Sequence, residues 1–340
     1  MIIATTMKEG LIILSKATEL PIKWDELAID YFQTREFLNH TEKYNPCKQR
    51  YYSLYHDGEF AAGAVVYTIR LDLLTYLAIP SPFQMNIAGI PCSVSACGLI
   101  GNNEIFPQLL GKMKEHEKGL LIVLNLDSNS VVDHMTTGRT LPTVLWRNTF
   151  GSWENYLHSL KASYRRRIIH LSRPFLAITT CRSTCERFDS GMYQQYHEVL
   201  NRSKGKLETL SQEFFQNLPS NFSLTTFYHF DKLIGWYITT IFGEKFYFFL
   251  GGIDYKQNRQ YNTYFNILMS VVKDGIENKV STIDLGQTAE IPKLRLGGIL
   301  VEKSMLGYHS NRAMRMILKA GQSLLEYSTV VGESHVFKNK

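Results

Sequence analysis

Residues 251–265 read GGIDYKQNRQYNTYF, and residues 281–298 read STIDLGQTAEIPKLRLGG. The apolar run that precedes Gly251 ends in Gly-Gly-Ile-Asp, so a strand gives out at Ile253 and a polar loop begins at Asp254. A helix then opens at Asn262 and places Tyr264, Phe265, Leu268, Val271, Val272 and Ile276 on one face, which is helical spacing. A second short strand, Thr282–Leu285, leads into Gly286-Gln287-Thr288, and Lys293-x-Arg295-x-Gly-Gly follows. Two strand ends and a helix start fall close together in sequence, which is where α/β folds place ligands.

Outward from this stretch the chain repeats itself. YYSLYHDGEFAAGAVVYTIRLDLLTYLAIP (51–80) and FSLTTFYHFDKLIGWYITTIFGEKFYFFLGGID (222–254) each read as strand, tight turn, strand with an early glycine, turn, strand. Tyr55-His56 with Gly63 mirrors Tyr228-His229 with Gly235, and Asp57-Gly58 and Asp231-Lys232 supply the turns. A helix near Glu104–Lys118 precedes the apolar strand Leu120–Leu126, as the helix from Asn262 precedes Thr282–Leu285. The pattern predicts two similar domains, 1–150 and 151–340, each a mostly antiparallel twisted sheet flanked by helices, in a mixed α/β (α+β) chain. Ser152 is placed to cap one helix running from Trp153 to the residue before Pro174. A strand near Phe175–Cys181, two helices over 189–217 split near Ser203-Lys204-Gly205, and a tail helix Ala313–Tyr327 on the second domain complete the reading.

The bulk composition is that of a folded protein: 340 residues, 44% hydrophobic, 20% charged and a net charge of +6. That balance permits an anionic ligand without requiring nucleic acid. The start, MIIATTMKEG, lacks the form of a signal peptide, and no apolar run has the length of a membrane span. The five cysteines fit reduced thiols, so the expected location is cytoplasmic. No Gly-x-Ser-x-Gly, Walker loop, Gly-x-Gly-x-x-Gly or His-Glu-x-x-His is present, and Cys181-x-x-x-Cys185 lacks a histidine at zinc spacing, so no metal is expected.

Three pieces together resemble the acyl-CoA N-acyltransferase (GNAT) superfamily. They are Trp153-x-x-Tyr156-x-x-x-Leu160 running into Tyr164-Arg165-Arg166-Arg167, Gly251-Gly252-Ile253-Asp254 with Asn262-x-Tyr264, and Ile283–Thr288 with Lys293-x-Arg295-x-Gly-Gly. The resemblance covers roughly residues 150–310 and points to the tandem-domain branch, which includes Fem-type peptidoglycan aminoacyltransferases and acetyltransferase-like proteins grouped with cellulose biosynthesis. It implies a degenerate first domain and an active site in the second. It also implies direct attack of an amine on the carbonyl of acyl-CoA, without a covalent enzyme intermediate. The acceptor would be an amine-bearing small molecule or cell-envelope precursor. Two alternatives stay open: a Fem-type enzyme using aminoacyl-tRNA, and a non-catalytic module binding an anionic polymer or nucleic acid. The superfamily's Gln/Arg-x-x-Gly-x-Gly/Ala phosphate loop is absent, and Lys256–Tyr261 stands in its place.

Such chemistry requires donor phosphates to be held, a carbonyl polarised and a proton removed. The helix start at Asn262 and Tyr264, with Gly286 for close approach and Lys256 and Arg259 as cations, suits the donor. Asp254 is either a general base or a turn former. Gln287 and Thr288 are placed to hydrogen-bond a substrate carbonyl. Lys293 is carried over from the resemblance as a phosphate or carboxylate ligand. Asp284 interrupts an apolar strand and calls for a partner such as Lys293 or Arg295. Tyr164 and Arg165 lie in a stretch free of acids from Asn155 to Cys185 and, with Arg295, are candidates for an anionic substrate. Consecutive arginines point about 100° apart on a helix, so all of them do not serve one site. Tyr237 either packs in the core or lines a donor groove.

Overall fold

The computed structural model describes residues 9–45, 47–70, 84–92, 94–127, 132–202, 208–322, 327, 332 and 334–338. The third strand expected near 71–80 and the helix break at 203–205 lie outside these residues. The chain forms two compact units, Met1–Leu141 with Glu302–Ser328, and Pro142–Val301 with Thr329–Lys340.

The first unit holds β1 (Glu9–Leu14), α1 (Lys23–Leu27), α2 (Arg35–Tyr44), β2 (Arg50–His56), β3 (Glu59–Arg70), β4 (Gln84–Ala88), β5 (Leu99–Gly101), α3 (Phe106–His116), β6 (Leu120–Leu126) and the first half of β7 (Thr136–Arg147). β1 to β4 are antiparallel neighbours, β4 pairs in parallel with β6, and β5 joins β3. The rest of the chain supplies α4 (Trp153–Ser159), α5 (Ala162–Ser172), β8 (Thr179–Thr184), α6 (Ser190–Arg202), α7 (Gln212–Gln216), β9 (Ser223–His229), β10 (Lys232–Phe242), β11 (Lys245–Ile253), α8 (Tyr255–Tyr261), α9 (Thr263–Glu277), β12 (Thr282–Gln287), α10 (Glu290–Leu294), β13 (Ile299–His309) and α11 (Arg312–Ala320). In the second unit β8 to β11 are antiparallel neighbours, β11 pairs in parallel with β12, and β7 closes antiparallel on β12.

The two units therefore share one strand plan, as the repeat predicts. One feature was not legible. β7 follows the first unit yet pairs with β12 of the second, whereas β13 follows the second and pairs with β6 of the first. Each unit takes its closing strand from the segment that follows the other's parallel-paired strand, β6 or β12, so the division falls inside β7 and β13 rather than at 150/151.

The glycine repeat has a packing cause. A side chain at Gly63 would enter the Trp24 ring, and one at Gly235 would press on the Thr263 methyl at 2.9 Å. Turn chemistry matches less well: Asp57 (φ 48) and Gly58 (φ 84) turn the first hairpin, but Phe230 (φ 50) with Asp231 turns the second, in place of Asp231-Lys232. The helix expected from Trp153 to Pro174 is two helices, broken at Leu160-Lys161, where Leu160 bridges to Phe337. Ser152 caps the first as expected, accepting from the Asn155 N–H at 3.2 Å. The strand expected at 175–181 begins only at Thr179, after a 3-10 turn over Arg173–Ala177. The tail helix belongs to the first unit, not the second. In the second unit Trp146, Tyr156, Tyr237, Leu268, Val272 and Ile283 form a closed core between α9 and the sheet.

Candidate active site

The site lies where β11 and β12 part. Their parallel ladder joins Lys245–Tyr247 to Thr282–Asp284, and among the described residues no strand pairs with that edge of β11 from Phe248 onward. Each strand bulges immediately after the last pair. On β11 the register against β10 slips between Phe248 and Leu250, leaving Phe249 extra; on β12 Leu285 and Gly286 together face Val144 of β7. Bulges bend a strand and raise its twist, which drives the two edges apart. Gly286 takes φ 74, which a glycine adopts without cost, and its missing side chain leaves the approach to the Phe248 carbonyl open at 3.8 Å.

Asp284 and Lys293 fix the β12 bulge from both sides. The buried Asp284 carboxylate accepts from the Gly286 N–H (2.8 Å) and the Thr143 hydroxyl (3.0 Å) and pairs with Lys245 (3.3 Å). Its direct ion-pair partner is thus Lys245, rather than Lys293 or Arg295. Lys293, 2% exposed, donates to the carbonyls of Gly286 (2.9 Å) and Gln287 (2.8 Å). Burial pushes its ammonium pKa down to about 7, against the pull of Asp284 and Glu290. Gln287 is half-buried at the strand end, while Thr288 is exposed with φ 60 and sits next to Ala289 at φ 49.

The far side of the gap is built on α8, a helical turn where the sequence predicts a loop. Asp254 caps it, accepting from the Lys256 N–H at 2.8 Å, and pairs with Lys232 at 3.0 Å. The general-base and turn-former readings thus meet a carboxylate already engaged twice. Lys256 and Arg259 are exposed on α8. Asn262 adopts φ 50 between α8 and α9, and its side chain, instead of capping α9, donates to the Leu171 carbonyl at 3.3 Å. The Tyr264 N–H at the start of α9 is accepted by Asn258 Oδ1 at 3.0 Å. Burial raises the Tyr264 phenol pKa, with Tyr255 and Glu290 adding to it.

Sequence reasoning missed a polar stripe on α6. Gln195, Glu198 and Arg202 follow at helical spacing on one face. The Arg202 guanidinium lies 3.7 Å over the ring of Tyr255, the first residue of α8. Glu198, half-buried, bears on the same phenol, and its carboxylate makes no ion pair or side-chain hydrogen bond among the described residues. Gln195 donates to the Leu233 carbonyl at 3.1 Å, but its buried Oε1 has no hydrogen-bond partner among the described residues. The available signal was the i, i+3, i+7 spacing of polar residues on an otherwise apolar-periodic helix.

The remaining candidates sit apart from this group. Tyr237 is 1% exposed in the core, and its hydroxyl donates to Asp274 Oδ2 at 2.6 Å; Asp274 also pairs with Arg182. Tyr164 packs partly buried on the core of the unit. Among the described residues no side-chain hydrogen bond or ion pair ties Tyr164, Arg165 or Arg295 to the Lys293 group. No cluster of three or more histidine, cysteine, aspartate or glutamate residues able to hold a metal occurs among the described residues.

The first unit carries the same bulge in a filled form. Leu124 and Asn125 of β6 together face one residue of β13, and Asn125, at φ 63, stands where Gly286 stands. Its amide donates to the carbonyls of Val94 (2.9 Å) and Ala96 (3.3 Å), so the chain's own segment occupies that place. Val123 replaces Asp284 in the equivalent pairing.

Residues 158–293 match the family model described as the acetyltransferase (GNAT) domain, which supports the GNAT acyltransferase superfamily for this part of the chain. Comparison with curated proteins finds no sequence match. Among solved structures, that of FemX is similar at 12% identity and a TM-score of 0.53, over 85% of this chain and 94% of that one. The structure of L-PGS from Bacillus licheniformis follows at 11% identity and 0.48, over 83% and 95%. A tandem GNAT protein from the clavulanic acid biosynthesis pathway matches at 8% identity and 0.48, over 89% and 99%. Among the described residues no helix is long and apolar enough to cross a membrane.

Proposed function

We propose that the second unit transfers an acyl group from acyl-CoA to an amine, and that the gap between β11 and β12 receives the donor. The observation that carries this reading is the pair of bulges directly after the last parallel pair; beyond Tyr247 that edge of β11 pairs with no strand among the described residues, and an extended thioester arm fits along it. The amine nitrogen attacks the thioester carbonyl, the C–N bond forms, the C–S bond breaks, and the thiolate leaves and takes a proton. The nitrogen's own proton needs an acceptor. Glu198, half-buried beside Tyr255 and in no ion pair among the described residues, fits that role better than Asp254, which Lys232 and the α8 cap already engage. Lys293 serves this reading by holding the bulge rather than by touching the donor.

One observation favours a second donor. The Tyr264 N–H, which a pyrophosphate would use, is taken by Asn258, and α8 fills the place of a glycine-rich loop. An aminoacyl-tRNA ester needs no such cradle. Melting curves with acetyl-CoA and with coenzyme A test the first reading: a saturable rise in Tm supports it. No rise with either, combined with deacylation of aminoacyl-tRNA in the presence of amines, moves the assignment to the ester donor. Failure of both overturns acyl transfer.

A further inference from the structure

The helix α11 in the first unit is amphipathic in the reverse of the usual sense. Asn311 caps it firmly, accepting from the N–H groups of Ala313 (2.9 Å) and Met314 (3.2 Å). None of its residues is buried. Advancing about 100° per residue, Arg315 and Leu318 fall on one side, and these two face the protein. The Arg315 guanidinium donates to the carbonyls of His309 (3.0 Å) and Ser310 (3.3 Å), and Leu318 lines a hollow with Ile122, Met305 and Gly307. The opposite side carries Ala313, Met316, Ile317 and Ala320. Met316 is 65% and Ile317 60% exposed. A surface helix ordinarily turns its apolar side inward; this one turns it out.

Charge says what that face meets. Arg312 and Lys319, seven residues apart, share one edge of the apolar side and are exposed, and from Lys303 to Leu325 the sequence contains no aspartate or glutamate. Apolar side chains at the outer pole, with cations at the polar boundary, match a flat surface that is apolar inside and anionic at its rim. We infer that α11 docks the first unit on an anionic lipid bilayer, lying in the plane of the interface with Met316 and Ile317 below the headgroups. Long Arg and Lys stems reach the headgroup layer from that position. This inference is independent of any acyl transfer in the second unit.

The test is co-sedimentation of the full chain with vesicles of phosphatidylglycerol and phosphatidylcholine in equal parts, against phosphatidylcholine alone. The expected result is pelleting with the anionic vesicles, weakened several-fold by raised salt. Met316→Glu with Ile317→Glu is expected to lower the partition coefficient at least tenfold with Tm unchanged, because neither side chain packs inside. Arg312→Glu with Lys319→Glu should lower it too and remove the salt response. Equal pelleting with both vesicle types, or none with either, overturns the inference. So does a dimer in solution that Met316→Glu dissolves, which would make the face a contact between copies.

Discussion

Lys293 is anchored on Gly286: its ammonium nitrogen donates to the Gly286 carbonyl at 2.9 Å, while the N–H of the same glycine is held by Asp284 at 2.8 Å. The strand bulge that opens the cleft is thus held at its acceptor and its donor by two buried side chains. Lys293→Met leaves the Gly286 and Gln287 carbonyls without this donor. Losing a hydrogen-bond donor to such groups costs about 1–3 kcal/mol, and relief of the amine's burial cost offsets part of it near pH 7, so urea denaturation at pH 9 should show the loss most clearly. Donor affinity is expected to fall with it. Unchanged stability would remove Lys293 from this role.

The depressed Lys293 pKa makes stability depend on pH with a definite sign. Between about 7, its value in the folded protein, and the usual 10.5, the unfolded chain binds the proton that the folded one has released. Stability therefore rises with pH through that window and carries the full burial cost below it. Urea midpoints at several pH values from 7 to 9, taken as wild type minus Lys293→Met, are expected to show this rise. A flat difference refutes it.

Asp284→Leu removes the acceptor of the Gly286 N–H and of the Thr143 hydroxyl, and strands the Lys245 ammonium. Lys245 retains some solvent, which limits the loss of the ion pair. The expected destabilisation is about 2–4 kcal/mol, and a thermal melt reads it. Loss of activity without loss of stability would instead mark Asp284 as a group that meets substrate.

Tyr237→Phe separates the two readings of that residue. In the core its hydroxyl satisfies Asp274, whose carboxyl pKa is raised by burial. The substitution is expected to cost about 1–2 kcal/mol of stability while leaving KM for acceptor and donor unchanged. A large rise in KM at unchanged stability would return Tyr237 to the groove.

Glu198→Gln preserves shape and removes the charge beside Tyr255. Donor binding and Tm are expected to stay as in wild type, while acyl transfer falls by about 10²–10⁴-fold, the usual contribution of a general base. An unaltered rate with intact folding excludes Glu198 as the proton acceptor.

Much of the second unit was legible because its signals are local. The apolar period of α9, the Ser152 cap, the strand end at Ile253 and the turn of chain at Gly286 all follow from neighbours a few residues apart. The site was less legible. Asp284 was read as needing a cationic partner, and has one, but Lys245 reaches it across the parallel β11–β12 pair, a separation no local pattern encodes. Asn262 was read as a helix start facing the donor, yet its left-handed backbone sends its amide to Leu171. Glu198 and Arg202 drew no reading from the sequence, because their relation to Tyr255 arises only when α6 packs beside α8.

The sequence alone determined that the chain is a duplicated sheet-and-helix unit. Repeated turns, periodicities and strand ends are properties of short segments, so they survive in one dimension. The tertiary structure alone decided that β7 and β13 are exchanged between the units, that Lys293 and Asp284 hold a bulge, and that in the first unit the place of Gly286 is filled through Asn125. Those facts depend on which distant backbone edges and buried polar groups find each other, because a buried donor or acceptor must be paired wherever its partner lies in the chain.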